Sequence, residues 1–187
     1  MLQETTQNGM VAAMQILTID ESIDLTVPVG VAYNQWTQFE SFPRFATVVK
    51  EVNQIRPNLS HWVIGVGPWR HEFDAEIVDQ LPDSLVAWRS LDRRFKHGGE
   101  AVFRPVDPEN STLTVRLQIE PHGLPGIISQ VPGLAQRVVQ GELRQFKEFI
   151  ESVGQEGGAW RGVIRNGHVH PSEPEPPRSR VPRWPVG

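Results

Sequence analysis

There is no cysteine anywhere in this chain. That removes disulfide staples, thiolate metal sites and cysteine nucleophiles together. A basic excess is missing as well. The formal net charge is −4, so no cationic footprint meets a phosphate backbone, and nucleic acid is not an expected partner. No stretch approaches the run of about 18 apolar residues that would span a membrane. The N-terminus has no basic segment followed by an apolar one, so no secretory signal is read and the cytoplasm is the expected location. GxSxG, HExxH, the P-loop and a GxGxxG followed by an acid are all absent, and no cofactor is expected. Tyrosine is nearly absent too: Tyr33 stands alone beside six tryptophans and eight phenylalanines. Those rings can build a core or line a cavity for a flat ligand.

What is present divides into three parts. Residues 1–17 are polar and then weakly apolar, a leader placed to extend the first strand, with Met10 or Met14 as alternative starts. Residues 18–153 carry a clear grammar of elements. Residues 154–187 are rich in glycine and then proline, with six prolines in 171–187, which excludes helix and central strand there. Five arginines against three glutamates leave this tail at +2 and the remainder at −6, given the total of −4. The tail reads as a solvated extension. The sharper alternative is a strap docked on its own domain or on a neighbour, anchored by Trp160 and Trp184.

The central region opens with strand-like Ile19, Ile23, Leu25 and Val27, followed by Pro28, which suits the first turn of a helix. A short helix through Val31, Ala32, Trp36 and Phe39 ends in a turn at Ser41-Phe42-Pro43. Six runs with strand character follow: 47–55, 61–66, 69–81, 85–91, 98–106 and 112–120. Turn chemistry such as Gly67-Pro68 and Pro82-Asp83-Ser84 separates them. Turns this short favour an antiparallel meander. Leu113, Val115, Leu117 and Ile119 alternate with polar residues, giving one buried and one wet face. After Pro132-Gly133, the residues Ala135, Val139, Leu143, Phe146, Ile150 and Val153 form the apolar stripe of a long helix, broadened by Val138 and Phe149. The predicted fold is α+β: a curved antiparallel sheet of about seven strands wrapped round one long C-terminal helix, a helix-grip. Sheet and helix cannot fill all the volume between them, so a cavity is expected.

Strand alternation over 69–80 sends Trp69, His71, Phe73, Ala75 and Ile77 inward and Arg70, Glu72, Asp74 and Glu76 outward. His71 is then a polar group in an apolar pocket, the single catalytic candidate, able to act as acid/base near neutral pH. Trp36, Trp62, Trp69, Phe73, Trp88, Phe103 and Phe146 complete the candidate ligand wall, since ring faces stack on flat ligands. Gly98 and Gly99 leave room for a bulky neighbour of the Trp88 strand. His168, His170 and Glu173 do not complete a ligand set, and no metal is assigned.

The segments from Val27 to Phe45, with Pro28, Trp36, Phe39-Glu40, Phe42-Pro43 and Phe45, from Pro82 to Ser90, and from Gly141 to Ile150 resemble the START/Bet v 1-like (SRPBCC) superfamily. Within it they are most similar to the bacterial polyketide cyclase/dehydrase and coenzyme-Q-binding-like branch. The resemblance covers about 20–153, and Gly158-Ala159-Trp160-Arg161-Gly162 resembles a tail element of actinobacterial members. It implies binding or carriage of a small hydrophobic ligand of quinone, lipid or polyketide type. The alternatives are a polyketide cyclase/dehydratase working by acid/base catalysis in the same cavity, or an interaction protein docking through its tail, with a homodimer as one form of that contact. Cyclases of this family place an arginine and hydroxyls in the cavity. Arg70 and Arg89 are the nearest matches here, but alternation sends both to solvent, while Tyr33 is placed at the mouth.

Overall fold

The computed structural model describes residues 16–120 and 133–170. The chain enters through strand β1 (Leu17–Leu25), then helix α1 (Val29–Trp36) and a 3-10 segment (Phe39–Arg44). Pro28 sits just before α1, and its carbonyl accepts from the amides of Val31 and Ala32, so the ring is placed where no helical donor is lost. Six strands follow: β2 (Val49–Arg56), β3 (Leu59–Val66), β4 (Trp69–Leu81), β5 (Leu85–Ser90), β6 (His97–Pro105) and β7 (Ser111–Ile119). Helix α2 (Leu134–Val153) and a short hairpin, β8 (Val163–Arg165) and β9 (His168–His170), complete the described elements.

The sheet runs β1-β7-β6-β5-β4-β3-β2, every neighbouring pair antiparallel. Strands β2 to β7 are the expected meander. Strand β1 returns to the far edge, in register with β7 from Leu17 opposite Ile119 to Leu25 opposite Ser111. Helix α2 lays Leu143, Phe146 and Ile150 on the inner face. Its stripe stops there: Val153, expected on the buried side, is 45% exposed, because it is the last residue of the helix and Gly154 turns the chain away at φ 68°.

Strand β4 is longer than its partner. β3 pairs with it only from Trp69 to Glu76, and a bulge between Ile77 and Asp79 follows. The bulge advances the alternation by one residue, so Gln80 turns inward and is buried instead of facing solvent. The edge left open beyond Glu76 is covered by β8, through Ile164 opposite Gln80 and the Gly167 amide donating to the Val78 carbonyl.

This bears on the tail. Residues 155–170 pack on the domain over the described span, as the docked-strap alternative expects of its Trp160 anchor and unlike a solvated extension. Gln35 Oε1 accepts from the Gly157 amide at 2.8 Å, and Asn34 Nδ2 donates to Glu156 at 2.9 Å. Arg161 grips Asp83 with two hydrogen bonds, at 3.0 and 2.6 Å, and donates to Asn34 Oδ1. Trp160 packs half-buried against the core, and Ile164 is 1% exposed. The hairpin turns at Asn166-Gly167, both at positive φ, the pair that a two-residue hairpin turn prefers. Trp184, Glu173, Met10 and Met14 lie outside the described residues.

Candidate functional site

A cavity of about 280 Å³ lies between the inner face of the sheet and α2. Trp36, Phe39 and Phe42 floor it from α1 and the 3-10 segment; Trp62, Phe73 and Trp88 wall it from β3, β4 and β5; Val138, Val139 and Phe146 roof it from α2. The floor is rigid because its rings interlock edge to face: Trp36 with Phe42 at 5.2 Å, Trp36 with Phe146 at 5.2 Å and Phe42 with Trp62 at 5.3 Å.

Trp88 owes its position to a glycine. It lies opposite Gly99 in the ladder, and a Cβ at Gly99 would stand 2.9 Å from the Trp88 ring and 2.8 Å from Leu117, with the Arg116 carbonyl closer still. The side chain of Trp88 therefore folds over a strand that has none at that point.

Three polar side chains interrupt the lining: Ser60, His97 and Glu142. The Ser60 hydroxyl accepts from the Trp62 indole N–H at 2.7 Å, which fixes that ring against the wall. His97 starts β6. Its Nδ1 lies 3.1 Å from the Phe95 carbonyl; a carbonyl only accepts, so the proton sits on Nδ1 and the neutral ring keeps Nε2 as an acceptor. Burial pushes the His97 pKa below its ordinary value. Phe73 meets the imidazole edge-on at 4.6 Å. Glu142 lies on the roof, where its Oε1 accepts from the Thr47 hydroxyl at 2.5 Å and the Val48 amide at 3.4 Å. Its Oε2 is buried with no partner among the described residues, and burial raises the pKa of the carboxyl.

Of the residues expected to form the wall, Trp36, Trp62, Phe73, Trp88 and Phe146 line the cavity. Trp69, His71 and Phe103 do not. Trp69 and His71 share the predicted face, but Phe95, from the turn between β5 and β6, packs edge-on against both at 6.1 and 5.5 Å and takes the wall position itself. His71 is instead paired with Asp92 in that turn, at 2.5 Å. The Arg94 amide first and His71 after it hold the Asp92 carboxyl below the ordinary carboxylate range. His71 thus ties a turn to the sheet from outside the cavity, and the titratable groups that line the cavity are His97 and Glu142. Phe103 is 3% exposed because α1 covers it, with Tyr33 at 5.5 Å and Trp36 at 6.2 Å.

Tyr33 is fully buried rather than at a mouth. Its hydroxyl accepts from Gln80 at 2.9 Å, and burial raises its pKa. Arg70 and Arg89 have side chains 60% and 63% exposed, and Arg89 pairs with Glu76 at 2.7 Å. His168 and His170 are exposed on β9, and among the described residues no three His, Asp or Glu side chains converge as metal ligands. No described helix is long and apolar enough to cross a membrane.

Both titratable groups of the cavity were accessible to simple periodicity. His97 has the parity of Ala101 and Phe103, which face inward, and is reached by starting β6 one residue earlier. Glu142 falls three residues after Val139 and four before Phe146, inside the apolar stripe of α2.

Comparison with known proteins agrees with this architecture. Residues 25–148 match the family model described as polyketide cyclase / dehydrase and lipid transport. An uncharacterized 17.2 kDa protein of Streptomyces lincolnensis, from the melC2-rnhH intergenic region, is 39% identical over 146 residues, 78% of this chain and 97% of that protein. Among solved structures, a START superfamily protein from Mycobacterium smegmatis superposes with a TM-score of 0.58 at 15% identity, over 73% of this chain and 95% of the other. The ZhuI aromatase/cyclase from Streptomyces sp. R1128 does so with a TM-score of 0.53 at 9% identity, over 75% and 92%. The family match over residues 25–148, most of the domain, makes this chain a member of the polyketide cyclase/dehydrase and lipid transport family, and its helix-grip sheet is the fold of the START superfamily structure.

Proposed function

We infer that the chain binds a small, flat, predominantly apolar ligand, of aromatic polyketide or quinone size, in the cavity beneath α2. The observation that carries this reading is the lining itself: 280 Å³ enclosed mainly by aromatic and branched aliphatic side chains, with three polar groups among them. Pockets of this kind bind by apolar burial and use a few polar atoms to orient the ligand. Native mass spectrometry of protein purified from the organism that makes it is the test. A small aromatic molecule should co-purify at one per chain and be lost from Val139→Phe, which fills the cavity from the roof. Retention of the molecule by a folded Val139→Phe protein sinks the reading.

The presence of His97 and Glu142 in one apolar cavity favours a second reading, a polyketide cyclase/dehydratase. Neutral His97 would take a proton from a methylene flanked by two ketones, and the resulting enolate carbon would attack a second ketone. The acid form of Glu142 would protonate that oxygen as the carbon–carbon bond forms. Loss of roughly 10²–10⁴ in rate on a poly-β-keto thioester, for His97→Ala and for Glu142→Gln alike, is the outcome this requires. His71→Ala should change that rate little.

A further inference from the structure

Two of the three polar groups in the lining leave an acceptor open. His97 has committed its N–H to the Phe95 carbonyl, so its free Nε2 is an acceptor. Glu142 has committed Oε1 to Thr47 and Val48, and Oε2 is a buried carboxylate oxygen without a partner. Ser60 accepts from the Trp62 indole, which leaves its own O–H as the one donor among the three, on the β3 wall. A buried acceptor that lacks a donor is costly, and a ligand that supplies the donor relieves that cost.

Accordingly, we propose that the cavity selects aromatic ligands bearing hydroxyl donors, phenols and hydroquinones, over their ketone or quinone counterparts, with Glu142 as the specificity-determining residue and His97 as a second acceptor. This rests on the cavity being the ligand site and adds what the ligand must carry. The preference is chemical rather than steric. Burial raises the Glu142 pKa while Oε2 lacks a donor; an O–H placed there makes a charge-assisted hydrogen bond that holds the carboxylate form, and a carbonyl oxygen placed against that form meets lone pairs. The depressed pKa of His97 supports the same polarity, since it keeps the ring unprotonated near neutral pH.

The test uses three naphthalene-sized probes: α-naphthol (donor), α-tetralone (acceptor) and α-methylnaphthalene (neither). Equilibrium dialysis is run at neutral pH with the full-length chain. Wild type should hold naphthol about tenfold more tightly than either other probe, the worth of one good hydrogen bond to a charged group. Glu142→Gln keeps an oxygen for Thr47 and Val48 but replaces Oε2 with an amide N–H₂. The naphthol-to-tetralone ratio should therefore fall about tenfold while methylnaphthalene affinity is unchanged.

Equal binding of naphthol and methylnaphthalene by wild type overturns the proposal and leaves the cavity reading standing. So does a ratio untouched by Glu142→Gln. Failure of all three probes to bind overturns the cavity reading and the proposal with it. Should Glu142→Gln lose methylnaphthalene too, His97→Phe decides: a reduced naphthol preference supports the donor selection, and an unchanged one overturns it.

Discussion

The two ends of the helix-grip are built from the same kinds of residue and come out differently. At one end Tyr33, Leu25, Phe103, Leu113, Phe146 and Ile150 are each no more than 3% exposed. At the other, Trp62, Trp88, Val139 and Leu117 are only partly buried against the core and face 280 Å³ of space. The difference is α1. It lies across β6 and β7 and fills the volume beneath the C-terminal half of α2 with Tyr33 and Trp36. Nothing equivalent enters beneath the N-terminal half among the described residues. A sheet curved round a single helix packs only where a third element is inserted, and the cavity is the part left without one.

Substitutions at the packed end should therefore be far more damaging than those at the hollow end. Phe146→Asp sits where the two meet, at 0% exposure, and places an unpaired charge between sheet and helix. It should abolish the cooperative thermal transition, and a melt within a few degrees of wild type would refute the account of α2 as the gripped helix.

Phe103→Ala and Trp88→Ala compare the ends directly. The first removes a ring enclosed on every side and should cost about 3–5 kcal/mol in denaturant unfolding. The second removes a larger side chain that already lacks partners on its cavity side, and should cost roughly half as much. Equal losses would mean that Trp88 is core rather than wall. Gly99→Ala tests the wall from behind. A methyl there collides with the Arg116 carbonyl, Leu117 and the Trp88 ring, so about 1–3 kcal/mol of destabilisation is expected, together with altered Trp88 fluorescence. A neutral outcome would break the claim that Gly99 exists to admit Trp88.

The smallest effect is a pH dependence confined to the hollow end. The folded-state pKa of His97 lies below its ordinary 6.5. The unfolded chain therefore binds the proton more readily, and this contribution is fully present above that value and lost as pH falls through it. Glu142 acts in the opposite sense: its raised pKa means the fold favours the protonated acid, so stability from this group grows as pH falls towards 4.5. Melting temperature should fall modestly from neutral pH to about 5.5. Glu142→Gln should steepen that fall and His97→Phe flatten it. Parallel curves for all three proteins would show that neither group titrates differently in the folded state.

The helix-grip was legible because its signals are local and redundant: alternation in β7, the 3–4 stripe of α2 and turn residues between nearly all strands agree with one another. The hairpin of the tail was equally local, since Asn166-Gly167 lies between Val163-Ile164 and Val169, yet the glycines and prolines on either side dominate the composition of that segment. The cavity wall was legible only in part. Alternation names a face, and Trp69, His71, Phe73, Ala75 and Ile77 do share one. Which members of a face meet open space depends on what covers the rest.

By itself, the order of apolar and polar residues determined the elements of this protein, their antiparallel succession and the faces they bury, because those follow from the periods of strand and helix. Tertiary structure alone decided that Phe95 stands between His71 and the cavity, that α1 seals Phe103 into the core, and that the bulge after Ile77 turns Gln80 inward. It also decided that Glu142 keeps a carboxylate oxygen without a partner beneath α2. Each of these is a contact between residues distant in sequence or a shift of register, and neither is encoded in the periodicity of any one segment.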